Sequence, residues 1–199
     1  MNRKLRLGWV VLVPITVMGC RGAADGADQS DPPGAAGAGA SCQTTSDTGQ
    51  GTGMLSGAVN GKAFGVVANA FWIGQPDSAA TTVVYLFSQP VVCSDLCSPS
   101  WDARIADGTQ VLELKALGVA PATFPVVKTL TPATGEAVVN TTISSTSATP
   151  SETSGSGGTL TLTDLQDKQA AAGTFDLLFA SDDLNGSFSA AYCPEGHEP

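Results

Sequence analysis

Histidine is almost missing from this chain: of its 199 residues, only His197 is one. Serine or cysteine nucleophiles activated by imidazole need a ring held in place by a carboxylate. His197 lies two residues from the last, among Pro194, Gly196 and Pro199, so histidine-based catalysis is not expected. Basic residues are also few, 9 Lys and Arg against 18 Asp and Glu, for a formal charge of −9. A surface of that sign repels phosphate backbones, so nucleic acid is not an expected partner. Aromatics make up only 6% of the chain. The longest uncharged apolar run, Leu7 to Met18, falls short of the roughly 20 residues that span a bilayer. No glycine-rich loop opens a helix to cradle phosphates, and no dinucleotide fingerprint is present. No cofactor is expected.

That apolar run belongs to an address. Arg3, Lys4 and Arg6 give a basic head, Leu7 to Met18 an apolar core, and Gly19 a small residue before Cys20. This is the layout of a secretory signal peptide. Val17-Met18-Gly19-Cys20 resembles the lipobox of bacterial lipoproteins, with Met18 bulkier than the usual residue at its position. The resemblance implies cleavage after Gly19, a diacylglyceryl thioether on Cys20 and an acylated new amino terminus. Two or more acyl chains hold a protein stably on a bilayer where one does not. Arg21 follows in place of the aspartate that retains enteric lipoproteins at the inner membrane, so the resemblance implies the outer membrane. The alternative is an ordinary signal peptide with Cys20 merely near the cut.

Without residues 1–19 the chain loses three basic residues and no acidic one, leaving six against eighteen and a net charge of −12. Residues 20–52 are then read as a lipidated cysteine and a disordered tether. They carry the low-complexity run Gly34-Ala35-Ala36-Gly37-Ala38-Gly39-Ala40 and no hydrophobic period, too little apolar surface to offset the entropy of ordering. Such a coil spans roughly 30 Å. Residues 53–199 form a single domain by length.

The pattern inside that domain is β. Thr159-Leu160-Thr161-Leu162-Thr163 alternates strictly, Phe175, Leu177 and Phe179 share one side, and so do Leu112 and Leu114. Thr82 to Phe87 is apolar on both faces, as a central strand requires. Strands are also expected within 54–59, 63–73, 137–143 and 187–192. Asn60-Gly61 is a strong two-residue hairpin signal; Asp107-Gly108 and Thr134-Gly135 are weaker ones. Ser181-Asp182-Asp183 and Asn185-Gly186 compete for the last hairpin. The Ser/Thr/Gly-rich stretch 144–158 reads as a mobile loop. The expected fold is all-β: an antiparallel β-sandwich of about eight or nine strands, or alternatively a β-barrel.

Cys42, Cys93, Cys97 and Cys193 remain beside Cys20, an even number that suggests two disulfides in an exported chain. One pairing joins Cys93 to Cys97 and Cys42 to Cys193. The other joins Cys42 to Cys93 or Cys97 and leaves Cys193 the remaining partner. No metal centre is expected from these thiols. Asp182, Asp183 and Asn185 could offer oxygen ligands to Ca²⁺, but without EF-hand spacing. Asp95, Asp102, Asp107, Asp176, Asp182 and Asp183 are the carboxylates from which a glycosidase-like pair could be drawn. Their places at turns and on outward faces are equally explained by solubility. Trp101, after Ser98-Pro99-Ser100, and Trp72, beside Phe71, are candidate binding platforms, or else core tryptophans.

Gly158 to Thr163, Gly173 to Phe179 and Gly186 to Cys193, with Leu55 to Phe64 near the start, resemble small uncharacterised β-rich lipoproteins of myxobacterial type. The likeness assigns no functional residue. The expectation is a membrane-anchored extracytoplasmic lipoprotein, touching the bilayer through acylated Cys20, whose non-catalytic β-domain binds an envelope protein or glycan or serves a structural role. The alternatives are a small-ligand carrier with a β-barrel cup, and a carboxylate-dependent envelope hydrolase.

Overall fold

Alternation of apolar and polar residues makes strands with one face to bury, and here those strands join one sheet. The computed structural model describes residues 51–73, 80–97, 100–129, 131–144 and 151–194, all within one compact unit. Cys20, Cys42, His197 and the tether up to residue 50 lie outside the described residues. The strands are β1 (Thr52–Val59), β2 (Lys62–Ala63), β3 (Asn69–Ile73), β4 (Thr82–Phe87), β5 (Gln110–Ala116), β6 (Ala122–Pro125), β7 (Ala137–Ile143), β8 (Ser151–Ser154), β9 (Gly157–Gln166), β10 (Ala170–Phe179) and β11 (Asp182–Cys193). Two 3₁₀ helices, Cys93–Cys97 and Trp101–Ala103, lie between β4 and β5.

The all-β expectation holds, but the two-sheet sandwich does not. The strands follow one path, β6-β9-β10-β11-β3-β4-β5-β7-β8, curled into a half-barrel. The reason is β11, at 12 residues the longest strand. One of its edges pairs with β10 from Asp182 to Ala191. The other takes β1 against residues 184–189 and then β3, in parallel, against Ala191 to Cys193. A strand that long joins what would otherwise be two layers.

Two reciprocal pairs mark the bend between β10 and β11. Gly173 faces Phe188, and Gly186 faces Phe175. A Cβ on Gly173 would meet the Phe188 ring at 2.7 Å, and one on Gly186 the Phe175 ring at 2.8 Å. Each glycine leaves room for the ring opposite, and the rings stack with centroids 6.5 Å apart. At one end the curl draws together. Val126, just after β6, bridges Ala137 at the start of β7. Gly155 N–H donates to Val139 O, and Ser156 N–H to Leu178 O, at 2.7 Å each.

Two cores result. The concave side is filled by Trp72, Leu86, Leu114, Leu160, Phe179 and Phe188, among others. On the convex side, Phe71, Ile73, Tyr85 and Phe87 meet Leu96 and Trp101 from the segment after β4. All six residues of β4 are buried, as a central strand apolar on both faces requires. Asn60 and Gly61 turn the β1–β2 hairpin with φ of 52° and 70°. Gly108 and Gly135, the weaker turn candidates, also have positive φ, 79° and 88°. The last hairpin turns at Ala180-Ser181, since Phe179 pairs with Asp182; the candidate Ser181-Asp182-Asp183 overlaps that turn at Ser181, while Asn185-Gly186 lies inside β11. Of the stretch read as a mobile loop over 144–158, residues 151–154 are β8, paired with β7. The tether reading also ends early, because Gly51 bridges Ala70 and Thr52 begins β1.

Asn69 is fully buried on the convex face. Its Nδ2 donates to Val91 O, while its Oδ1 accepts the Val91 N–H at 3.3 Å. This clamp fixes the covering segment to the first residue of β3. Replacing Asn69 with alanine leaves two buried peptide groups of Val91 unpaired, a cost of about 2–4 kcal/mol. Urea unfolding of Asn69→Ala is expected to show a midpoint lowered accordingly; an unchanged midpoint would contradict the clamp.

Candidate functional site

The mouth of the curl holds a cleft of about 170 Å³. Residues 59–64, from the β1–β2 hairpin and its continuation, form one wall; the inward residues at the ends of β5, β7 and β8 form the other. Phe64 and Ile143 supply apolar surface, and Lys62 supplies an ammonium. Its amides Asn60 and Gln110 and its hydroxyls Thr141 and Thr153 are engaged by the protein itself. Gln110 Oε1 accepts the Gly65 N–H at 2.6 Å, and its Nε2 donates to Ala63 O at 3.2 Å. Asn60 Nδ2 donates to Thr153 Oγ1 at 2.8 Å, tying the hairpin tip to β8. Thr141 Oγ1 donates to Thr153 O at 3.3 Å. The cleft can contact a small group by packing and by single hydrogen bonds, and no carboxylate or imidazole lines it.

The tryptophans lie elsewhere. Trp101 is 2% exposed, with its ring edge-on to Tyr85 and Phe87 at centroid distances of 5.2 and 5.6 Å. Trp72 is 5% exposed in the concave core, 5.0 Å from the ring of Tyr192. Neither ring offers a face to solvent, so the expected platform at Trp101 and Trp72 is replaced by core packing. The Trp72 Nε1 is buried with no hydrogen-bond partner among the described residues.

The oxygen ligands proposed for Ca²⁺ do not converge. Asp182 Oδ2 accepts the Gly61 N–H at 2.7 Å, which ties the first hairpin turn to the last. Asp183 is the next residue along the same strand, so its side chain points to the opposite face. Asn185 sits between Ser56 and Asp176 of the neighbouring strands. Among the described residues no three His, Cys, Asp or Glu side chains gather where a metal could be held. Other carboxylates hold turns: Asp95 Oδ2 accepts the Val92 N–H at 3.1 Å, and Glu136 Oε2 the Ala133 N–H at 2.7 Å.

The cysteines resolve one open alternative. Cys93 is bonded to Cys193, 100 residues away, with Cα atoms 5.6 Å apart. That excludes both the Cys93–Cys97 loop and the Cys42–Cys193 bridge. Cys97 is also disulfide-bonded. Asn69 and Gln110, which hold the convex cover and the mouth, carried no signal in the sequence. Both are polar residues at the first position of a strand, where no apolar period marks them.

In the chain lacking residues 1–19, which carry Trp9, the two remaining indoles are expected to resist acrylamide. Their emission should be quenched strongly only after unfolding in urea. Strong quenching of the folded protein would contradict their burial.

No protein-family model matches the chain, and neither a curated protein nor a solved structure is significantly similar to it.

Proposed function

We propose that this chain is an exported lipoprotein, acylated at Cys20 and held at the outer membrane. Its β-domain acts as a binding or structural module of the envelope rather than as an enzyme. The observation that carries the reading is oxidation of the cysteines. Cys93 and Cys193 are joined, and Cys97 is bonded as well. Disulfides persist in oxidising compartments and are rare in a reducing cytosol. This agrees with the basic head, apolar core and Gly19-Cys20 cut site of the first twenty residues. Each buried methylene of an acyl chain contributes about 0.8 kcal/mol, so three chains anchor the protein durably.

The carrier with a β-barrel cup has less support. Drug-sized ligands occupy clefts of roughly 300–1,000 Å³. The concave side is occupied by its own side chains, and the cleft at the mouth holds about 170 Å³. A surface contact with an envelope protein or glycan suits this shape better than enclosure of a small molecule.

The test is metabolic labelling with an alkyne-tagged fatty acid, combined with fractionation. The native chain is expected to take up label and to stay with membranes after carbonate extraction. Cys20→Ser is expected to lose the label and the membrane association together. An unlabelled native chain recovered from cytosol with five free thiols would overturn the proposal.

A further inference from the structure

Cys97 is disulfide-bonded, yet neither Cys93 nor Cys193 is its partner, because those two hold each other. The chain has five cysteines, so only Cys20 and Cys42 are left. A thioether to diacylglyceryl would occupy the sulfur of Cys20. We infer that Cys42 and Cys97 form the second disulfide, and that this bond fastens the tether to the cover on the convex face. The choice of Cys42 over Cys20 rests on the lipoprotein reading; the elimination of the other cysteines does not.

The bond forms by two exchanges. The Cys97 thiolate attacks the disulfide of an envelope thiol–disulfide oxidoreductase, giving a mixed disulfide. The Cys42 thiolate then attacks the Cys97 sulfur. The Cys42–Cys97 bond forms as the mixed bond breaks, and the oxidoreductase leaves as its dithiol. It carries off the two electrons and, on its own two thiols, the two protons that Cys42 and Cys97 gave up. Structural disulfides of exported proteins form by this chemistry.

Two consequences follow from the position of Cys97. Cys93 and Cys97 are the first and last residues of one 3₁₀ helix. At a rise of about 2 Å per residue, they stand roughly 8 Å apart along its axis. The helix then carries one bond to the N-terminal segment and another to the end of β11. A pull on the tether would travel through Cys97, the helix, Cys93 and Cys193 into the longest strand, all by covalent bonds. It would bypass β1, which is otherwise held to β11 only by pairing over residues 52–57. The stretch from Cys20 to the first covalent attachment would also shorten, to 22 residues at Cys42 in place of 31 to Gly51.

The experiment is disulfide mapping of the membrane-extracted, unreduced full chain. Cleavage before aspartate separates Cys93 from Cys97 at Asp95. The expected product joins residues 31–46 to residues 95–101, beside a second product that joins the Cys93 and Cys193 peptides. The same spectrum reports the state of Cys20. A 31–46 to 95–101 link with Cys20 as a free thiol would sustain this inference and overturn the lipid anchor. A link from 95–101 to the Cys20 peptide would overturn both. A 95–101 peptide with a free thiol would overturn the inference alone. As a second measure, unfolded and unreduced Cys42→Ser should show one titratable thiol per chain where the acylated native chain shows none. Absence of that thiol would also overturn the bond.

Discussion

Strands β3 and β4 bury both of their faces, and the remainder of the architecture answers that demand. A strand between two apolar layers needs a cover on each side. The concave cover is the sheet itself, curled until its own inward residues meet. The convex cover is irregular chain, the segment from Val91 to Ile105 with its two short 3₁₀ helices. Irregular backbone does not form the repeating hydrogen bonds of a ladder, so it must be held by other means. Here they are the Asn69 clamp, the insertion of Leu96 and Trp101, and the bond from Cys93 to Cys193. Closing a loop of about 100 residues contributes about 4.7 kcal/mol in the chain-entropy picture. Domains are stable by only about 5–15 kcal/mol, so this one bond is a large share of what keeps the cover in place.

Much of this was legible in the sequence. Strict alternation over Thr159–Thr163, the two-faced run Thr82–Phe87 and the turn pair Asn60-Gly61 are local signals, and all three appear where they point. The single sheet was not legible. It depends on the length of β11, whose opening acids Asp182 and Asp183 look like a turn. Nor was β8, because Ser151–Ser154 contains no apolar residue to set a period. It is a strand because β7 presents an edge to pair with, and pairing is a long-range fact. The burial of Trp101 was obscured in the same way, since core residues outside regular elements leave no periodic trace. Disulfide pairing depends on which loop crosses which strand, which spacing along the chain does not encode.

The candidate site shows the same division. Asn60 was legible as a turn residue. Its contact with Thr153, and the Gln110 contacts across the mouth, arise only when the curl brings β8 and β5 to the hairpin. Asp182, a plausible ligand in isolation, is occupied by the Gly61 N–H. Such polar residues close the fold on itself: each joins two turns or a turn and a strand.

Native-state hydrogen exchange on a Cys93→Ala/Cys193→Ala chain, compared with the parent, tests most directly whether the convex cover depends on its crosslink. The account predicts that amides of residues 91–105 lose nearly all protection, while those of β10 and β11 keep theirs up to the global stability of the variant. A cover that stays as protected as β10 without the disulfide would contradict it.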